Sequence, residues 1–318
     1  MKILAHIPLY FPNHCSGAEA TALALFNALR ERGHEIRINV DRKTVDYHGG
    51  FQITDYNFLG GDKKALVEMY KWADVIYTHL GSIGFVDNII RTVDRPVVYY
   101  AHNSHRSSAV ARRKWVNVVY NSEWVKDELK QYYPTHNNIV CRPLIEFDGL
   151  KKTIKGDRIT LINANENKGG KQFIEIARMM PKEKFLIVEG SYGDQHTTDL
   201  PDNVEVMKNT SDINEAYQKS KIVLMPSLYE SFGRVAIEAS WLGIPVISTA
   251  TKGLVEAMGS DGNYCMRNDI QAWVDEIKRI NKNYAAESEK AKQIGVNSAI
   301  KLTNDKEKFC KFVENITA

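Results

Sequence analysis

The segment Lys221–Thr249, KIVLMPSLYESFGRVAIEASWLGIPVIST, concentrates the residues best suited to chemistry. An apolar run ends at Pro226, and a polar turn with Glu230, Ser231, Phe232 and Gly233 follows. A helix predicted over Ser231–Leu242 then carries Arg234 and Glu238, stops at Gly243, and leads into a second apolar run from Pro245. A helix that starts at the carboxyl end of a parallel strand presents unpaired N–H groups and the positive end of its dipole, which favours an anion there. Gly233 permits a close backbone approach. Such a turn suits a diphosphate or a sugar attached to one. Glu230 precedes the helix, and Glu238 inside it is a carboxylate that can accept two hydroxyl hydrogen bonds, as a ribose would offer.

Pro226-Ser227, two spacers, Glu230-Ser231-Phe232-Gly233, and Glu238-Ala239 with seven residues between the glutamates resemble the EX7E motif of the retaining GT-B glycosyltransferases of family 4. Gly243-Ile244-Pro245-Val246-Ile247 is similar to the strand that follows in that family. The resemblance implies that Glu230 contacts the transferred sugar and that backbone amides around Ser231–Gly233 hold sugar hydroxyls and phosphate. It also implies that Glu238 binds the ribose. The bland alternative is an amphipathic helix with two surface glutamates.

Weaker matches surround this core. Ser16-Gly17-Ala18-Glu19, before a helix ending in RERGHEIRI, is similar to the family's glycine-rich opening, with Ser16 in place of one glycine. Gly17 is therefore a candidate donor contact. Lys168-Gly169 looks like the Lys-Gly that opens the second domain and is expected to meet the diphosphate. In the family an arginine stands five residues earlier, and here that position is Asn163. Arg234 or Lys171 is a candidate replacement for the missing charge. His102, after an apolar run in YYAHNSHRSS, resembles a family histidine that faces the reacting sugar; His105 competes for that role and His79 is a further candidate. Asn121-Ser122-Glu123-Trp124 reads as a helix cap with acceptor contact.

Elements able to position these residues follow from the apolar periodicity. Strands are expected at Lys2–Ile7, Ile36–Val40, Asp74–Thr78, Pro96–Ala101, Val116–Asn121 and Ile139–Arg142, with helices at Ala18–Arg32, Lys64–Trp72 and Glu123–Tyr132. A lysine-rich stretch, Leu150–Arg158, reads as a linker. The alternation then restarts with strands at Ile159–Asn163, Lys184–Glu189, Val204–Met207, Ile222–Met225 and Pro245–Ser248, and helices at Gly170–Met180, Asp212–Ser220 and Ser231–Leu242. Two successive alternating halves imply an α/β protein of two Rossmann-like, doubly wound domains with a cleft between them, in keeping with the GT-B arrangement that the resemblance implies. The expected division is 1–149 for the acceptor, 150–300 for the nucleotide-sugar, and a terminal helix within 301–318 packing back on the first domain.

The bulk properties exclude more than they assign. At 318 residues the chain is about two domains long. It is 43% apolar and 25% charged with a net charge of +3, which permits an anionic partner without requiring one. Cys15, Cys141, Cys265 and Cys310 form no CxxC pair, which favours a reducing compartment. No secretory signal pattern and no run of about 18 apolar residues occurs, so the expectation is a cytoplasmic protein without a membrane span, with peripheral membrane attachment as the alternative. There is no Asp-x-Asp pair, so a metal-independent site is expected, with no cofactor beyond the sugar-nucleotide substrate. Neither GxGxxG after the first strand nor GxSxG is present, which argues against a dehydrogenase or a serine hydrolase. Arg106, Arg112, Arg113 and Lys114, beside Trp115, form a basic cluster that suits an anionic surface or nucleic acid, or else a solvated helix face. The function implied by the resemblance is retaining transfer from a nucleoside-diphosphate sugar, a UDP-sugar by family preference, to a hydroxyl of a glycan, lipid or other acceptor. The alternatives are a hydroxymethylated DNA base as acceptor, a nucleotide-sugar epimerase, a phosphorylase, or a non-catalytic sugar-nucleotide binding protein.

Overall fold

A computed structural model of the chain describes residues 1–11, 16–41, 45–55 and 63–316. Cys15, and the part of the Pro8–Gly17 loop from residue 12 to 15, lie outside the described residues. The chain forms two units, Met1–Leu144 with Leu302–Ala318, and Ile145–Lys301.

The first unit is built on a sheet whose parallel strands are β1 (Lys2–Ile7), β2 (Glu35–Val40), β4 (Phe51–Asp55), β5 (Val75–His79), β6 (Val97–Ala101), β7 (Val116–Tyr120) and β8 (Asn138–Val140), with β3 (Tyr47–His48) antiparallel at one edge. The order is β3-β4-β2-β1-β5-β6-β7-β8. The strands β5, β6 and β7 are buried along their whole length, as a central parallel strand covered on both faces must be. Their apolar runs are therefore continuous rather than alternating. The chain winds outward from β1 in one direction and then returns to add β5 on its other side. In such sheets the crevice beyond the carboxyl ends of the strands at this reversal is where ligands bind. His79 ends β5, and His102 follows β6.

The second unit repeats the plan. Its strands β9 (Arg158–Ile162), β10 (Lys184–Val188), β11 (Val204–Met207), β12 (Ser220–Met225), β13 (Val246–Ser248) and β14 (Asn263–Tyr264) are parallel in the order β11-β10-β9-β12-β13-β14. The reversal lies between β9 and β12. Beneath it Phe173, Phe185, Ile222, Ile247 and Trp273 form part of one buried apolar cluster. Burying each such side chain contributes roughly 1.5–3 kcal/mol, which anchors the strand ends that carry the site. The helix α6 (Gly170–Met179) shows the sequence logic: Phe173, Ile174, Ile176 and Ala177 are buried on one face while Lys171, Glu175 and Arg178 are exposed.

Several expectations shift. The key helix, α8 (Arg234–Trp241), begins three residues after Ser231, because Gly233 takes a left-handed conformation (φ 100°) that holds the preceding turn out of the helix. The terminal helix, expected only within 301–318, is α11 (Tyr284–Glu314), 31 residues long. Its surface is polar on most sides, so no apolar stripe marked its start. Its last turns pair with the first unit, Arg32 binding Glu314 at 2.8 Å and Glu307 at 2.9 Å, and Arg142 binding Asp305 at 3.0 Å. The β3–β4 hairpin, turned by Gly49 and Gly50 with positive φ, was not expected from the apolar pattern.

The basic cluster is partly neutralised from within. Asp87, with a side chain only 2% exposed, accepts from Arg113 Nε at 2.7 Å and Arg112 Nη2 at 3.2 Å, with Arg91 at 3.5 Å. Arg106 lies over the Tyr132 ring. The patch therefore acts in part as a brace around one carboxylate, and the freely disposed charge is smaller than the sequence implied. Burial alone would raise the Asp87 pKa, but the hydrogen bonds from Arg113 and Arg112 outweigh it and hold the group below its ordinary value. A depressed folded pKa stabilises above the unfolded value, near 4, and that contribution is lost as pH falls through the folded pKa. Asp87→Asn is expected to cost about 1–2 kcal/mol at pH 7, a fall in Tm of about 2–6 °C. The gap between variant and wild type should begin to close as pH falls below about 4 and vanish below the folded pKa, which thermal melts across acid to neutral pH would check.

Candidate active site

Two loops meet at the reversal of the second sheet. One follows β9 and runs from Asn163 to Gly169. The other follows β12 and runs from Pro226 to Gly233. They are tied together by backbone and side-chain hydrogen bonds: Leu228 N–H to the Asn167 carbonyl at 2.7 Å, and Asn167 Nδ2 to the Tyr229 carbonyl at 3.2 Å. Arg267 clamps the same two loops, donating to the Pro226 carbonyl at 3.0 Å and the Glu166 carbonyl at 2.7 Å. Thr249, at the end of β13, donates to the Ser227 carbonyl at 2.6 Å. The result is a positioned pair: Lys168 Nζ donates to Glu230 Oε1 at 2.6 Å, and Ser227 Oγ donates to the same oxygen at 3.0 Å.

This pair is costly to bury and incompletely used. The side chains of Lys168 and Glu230 are 18% and 10% exposed. Burial works against the Lys168 charge, but Glu230 outweighs it and raises the lysine pKa, so the ammonium is retained at neutral pH. An ammonium has three donors. Glu230 is the only hydrogen-bond partner of Lys168 Nζ among the described residues, and Glu230 Oε2 has none there. Spare donors and a spare acceptor side by side form a bipolar site that an anion and a hydroxyl could share.

The helix α8 adds its amino end. Gly233 is its cap residue and no side chain caps it, so the first-turn N–H groups face the turn of Ser231 and Phe232 without a protein acceptor from a cap. Phe232 is buried at 3% exposure and fixes the turn. Behind it α9 (Lys252–Met258) brings Gly253 so close that a Cβ would collide with the Glu230 carbonyl oxygen and the Phe232 nitrogen. A side chain here must move the turn. Gly253→Ala is therefore expected to displace Glu230 and to lower Tm by about 2–6 °C, for an overpacking cost of about 1–2 kcal/mol, measured by thermal melts against wild type.

Glu238 sits one turn inside α8 and is 6% exposed. Its Oε2 accepts from Tyr217 Oη at 2.8 Å and its Oε1 from Arg234 Nε at 2.5 Å. Each oxygen keeps a further lone pair. Arg234 is thus bound to Glu238. Lys171 is bound to Glu166 at 2.9 Å on an exposed loop, so it is not brought to the Lys168–Glu230 pair. Asn163, where the arginine was expected, adopts a left-handed backbone (φ 68°), and its Oδ1 accepts from Gln195 Nε2 at 2.9 Å. Gln195 also receives the N–H groups of Ala164 and Gly190. That position therefore braces the ends of β9 and β10 and brings no charge. Gln195, Arg267 and Ser227 were missed by the sequence reading: each acts through a partner at least three residues away, and only Ser227 stood within the recognised motif.

In the first unit His102 Nε2 lies 3.0 Å from His79 Nδ1, so the two candidate histidines form one pair. Desolvation lowers the His102 pKa to about 3, and desolvation, with the His102 charge second, lowers that of His79 well below its ordinary value. His105 is exposed and its N–H is taken by Asn103 Oδ1. Gly17 opens α1 (Gly17–Glu31), and Ser16 caps that helix with Glu19 in a capping box. Ser16, in the place of the family's other glycine, thus has a structural task. Asn121 Nδ2 holds the His102 carbonyl at 2.8 Å, and Ser122 Oγ caps α5 (Glu123–Leu129). Among the described residues no group of three or more His, Cys, Asp or Glu could hold a metal, and no helix is long and apolar enough to cross a membrane.

The fold defined by these two units is GT-B. A solved structure of Anabaena Alr3699/HepE in complex with UDP-glucose superposes with a TM-score of 0.84 at 15% identity, covering 99% of this chain and 100% of that one. Residues 152–299, nearly all of the second unit, match the model of the family Glycosyl transferases group 1. Among curated relatives, a D-inositol 3-phosphate glycosyltransferase of Corynebacterium urealyticum is 42% identical over 66 residues, 20% of this chain and 16% of that protein. The capsular polysaccharide biosynthesis glycosyltransferase CapM of Staphylococcus aureus is 27% identical over 128 residues, 36% of this chain and 34% of that protein. The chain thus matches about a sixth to a third of the length of these relatives.

Proposed function

We propose that the protein is a retaining glycosyltransferase of the EX7E type, family 4, that moves a sugar from a UDP-sugar to a hydroxyl acceptor. The observation that carries this reading is the Lys168–Glu230 pair beside the uncapped start of α8, with spare donors and a spare carboxylate oxygen at one sheet reversal. The match of residues 152–299 to the group 1 family and the naming of its relatives as glycosyltransferases support it. In this reading the diphosphate lies between Lys168 and the first turn of α8, with backbone amides of Ser231–Gly233. Glu238 accepts the ribose hydroxyls and Glu230 Oε2 accepts a hydroxyl of the transferred sugar, while His102 is the candidate donor to a substrate hydroxyl. Gly17 contributes a close backbone approach. The bond from the anomeric carbon to the β-phosphate oxygen breaks, its electron pair leaves with UDP, the acceptor oxygen bonds to that carbon, and the acceptor hydroxyl's proton passes to the departing β-phosphate oxygen. Lys168 and the helix amides stabilise the charge that builds on the leaving diphosphate, without a metal ion.

The acceptor is proposed as a glycan or lipid-linked hydroxyl in the cytoplasm. The engagement of Arg112 and Arg113 by Asp87 weighs against a dedicated DNA surface. The test is a binding and hydrolysis screen of UDP-, GDP-, ADP- and TDP-sugars with wild type, Glu238→Ala and Lys168→Ala. One nucleotide sugar that binds, and that both substitutions weaken, names the donor. Binding without turnover on any acceptor would point to a sugar-nucleotide binding protein. Binding indifferent to both substitutions would remove the site from this part of the fold.

A further inference from the structure

The His79–His102 pair has a feature that assigns its protons. His79 is fully buried, and its Nε2 has no hydrogen-bond partner among the described residues. Its Nδ1 faces His102 Nε2 at 3.0 Å. Low pKa values make both rings neutral at pH 7, so each carries one N–H. If His102 donated to His79, the His79 proton would stand on Nε2, a buried N–H with no acceptor. Orphaned buried donors are rarer and costlier than bare acceptors. The opposite arrangement puts the His79 proton on Nδ1, donating to His102 Nε2, and leaves only a bare lone pair on the buried nitrogen. His102 then carries its own proton on Nδ1. His102 is partly exposed, and with Nε2 turned to His79, Nδ1 is the ring nitrogen left to face a substrate. The rings are held in this relation, centroids 4.8 Å apart and nearly perpendicular, with Tyr100 against His102 at 4.6 Å.

We infer that His79 is a positioning residue that fixes His102 as the Nδ1–H tautomer, so that His102 offers a neutral hydrogen-bond donor, and not a base, to a hydroxyl of the bound substrate. The donor role rests on the glycosyltransferase reading; the tautomer does not. The arrangement follows a general pattern in which the partner of one imidazole nitrogen decides what the other presents. A donor fixed in place exchanges no proton with substrate, so its contribution is orientation of the hydroxyl, with no step of proton transfer.

The experiment is long-range ¹H–¹⁵N correlation of ¹⁵N-histidine-labelled full-length protein at pH 7, with the His102 signals assigned by their loss in His102→Gln. Wild type is expected to show His102 as Nδ1–H. His79→Phe, which removes the donor, is expected to give a mixture of tautomers. His79→Asn, whose amide nitrogen reproduces the Nδ1 donor, is expected to restore Nδ1–H. An Nε2–H signal for His102 in wild type, or a pure Nδ1–H signal persisting in His79→Phe, overturns the inference. In parallel, kcat with the donor found by the screen should fall about tenfold in His79→Phe and recover to within about twofold in His79→Asn. A kcat equal in all three proteins, with the tautomers behaving as expected, overturns the role of the donor and keeps the tautomer. Absence of any turnover in wild type bears on the glycosyltransferase reading alone, since the spectra are read without substrate.

Discussion

Lys168→Met is expected to reduce kcat with a UDP-sugar by about 10²–10³-fold, while KM changes less. The asymmetry follows from when the charge develops. A diphosphate still esterified to the sugar carries less charge on its β-phosphate than the departing one, so a cation beside it stabilises the transition state more than the ground state. Lys168 is fitted to this role because its ammonium is held in place by Glu230 at 2.6 Å, on a loop tied to its neighbour by Leu228, Asn167 and Arg267. Removing it also leaves Glu230 with Ser227 as its remaining hydrogen-bond partner among the described residues. An uncompensated buried carboxylate costs up to about 3–5 kcal/mol, less here because Glu230 keeps some solvent contact. Stability and catalysis must therefore be separated. Ser227→Ala removes a hydrogen bond to Glu230 and no cation, so it is expected to lower Tm without a comparable loss of kcat. Steady-state kinetics at saturating donor, beside thermal melts of both variants, decide the matter. A Lys168→Met enzyme that turns over within threefold of wild type would mean that the helix amides alone carry the leaving group.

What the sequence disclosed here and what it hid have a common cause. Glu230, Gly233 and Glu238 were legible because the strand, the turn and the helix that position them are contiguous, and because an apolar strand broken by a proline and a glycine leaves little choice of local structure. The central strands were legible for the same reason: full burial makes their apolar runs continuous. What was hidden depends on distance in sequence. The arginine absent at Asn163 read as a missing charge, whereas the position is a left-handed turn whose amide is held by Gln195, 32 residues away. The arginines at 112 and 113 read as part of a basic surface cluster, and both have in Asp87 an acidic partner that their own segment does not contain. The long terminal helix was mostly invisible because a helix polar on most sides leaves no periodic trace. The pairing of His79 with His102 crosses from one strand end to the next and follows from the sheet order, which no local pattern states.

The role of Glu238 leads to the second large effect, and it should have the opposite kinetic signature. Glu238→Ala is expected to weaken donor binding by about 30–100-fold, or about 2–2.7 kcal/mol, the range for two hydrogen bonds to a charged acceptor less what water restores. The ribose takes no part in bond breaking, so the loss should be nearly equal in ground and transition states. KM should rise with kcat nearly unchanged, unlike Lys168→Met. The geometry also predicts coupling. Arg234 Nε and Tyr217 Oη each hold one Glu238 oxygen, and both lose their acceptor when Glu238 is truncated. Arg234→Ala in the wild-type background is expected to weaken donor binding by less than tenfold, because Tyr217 still orients the carboxylate. In the Glu238→Ala background the same change should have almost no further effect if Arg234 acts through Glu238. If instead Arg234 contacts the diphosphate and stands in for the arginine absent at Asn163, the two losses should add, and Arg234→Ala should lower kcat as well. Isothermal titration of the four proteins with the donor, together with kcat for each, separates these outcomes, since an additive cycle and a coupled one differ by at least the single-variant effect of Arg234.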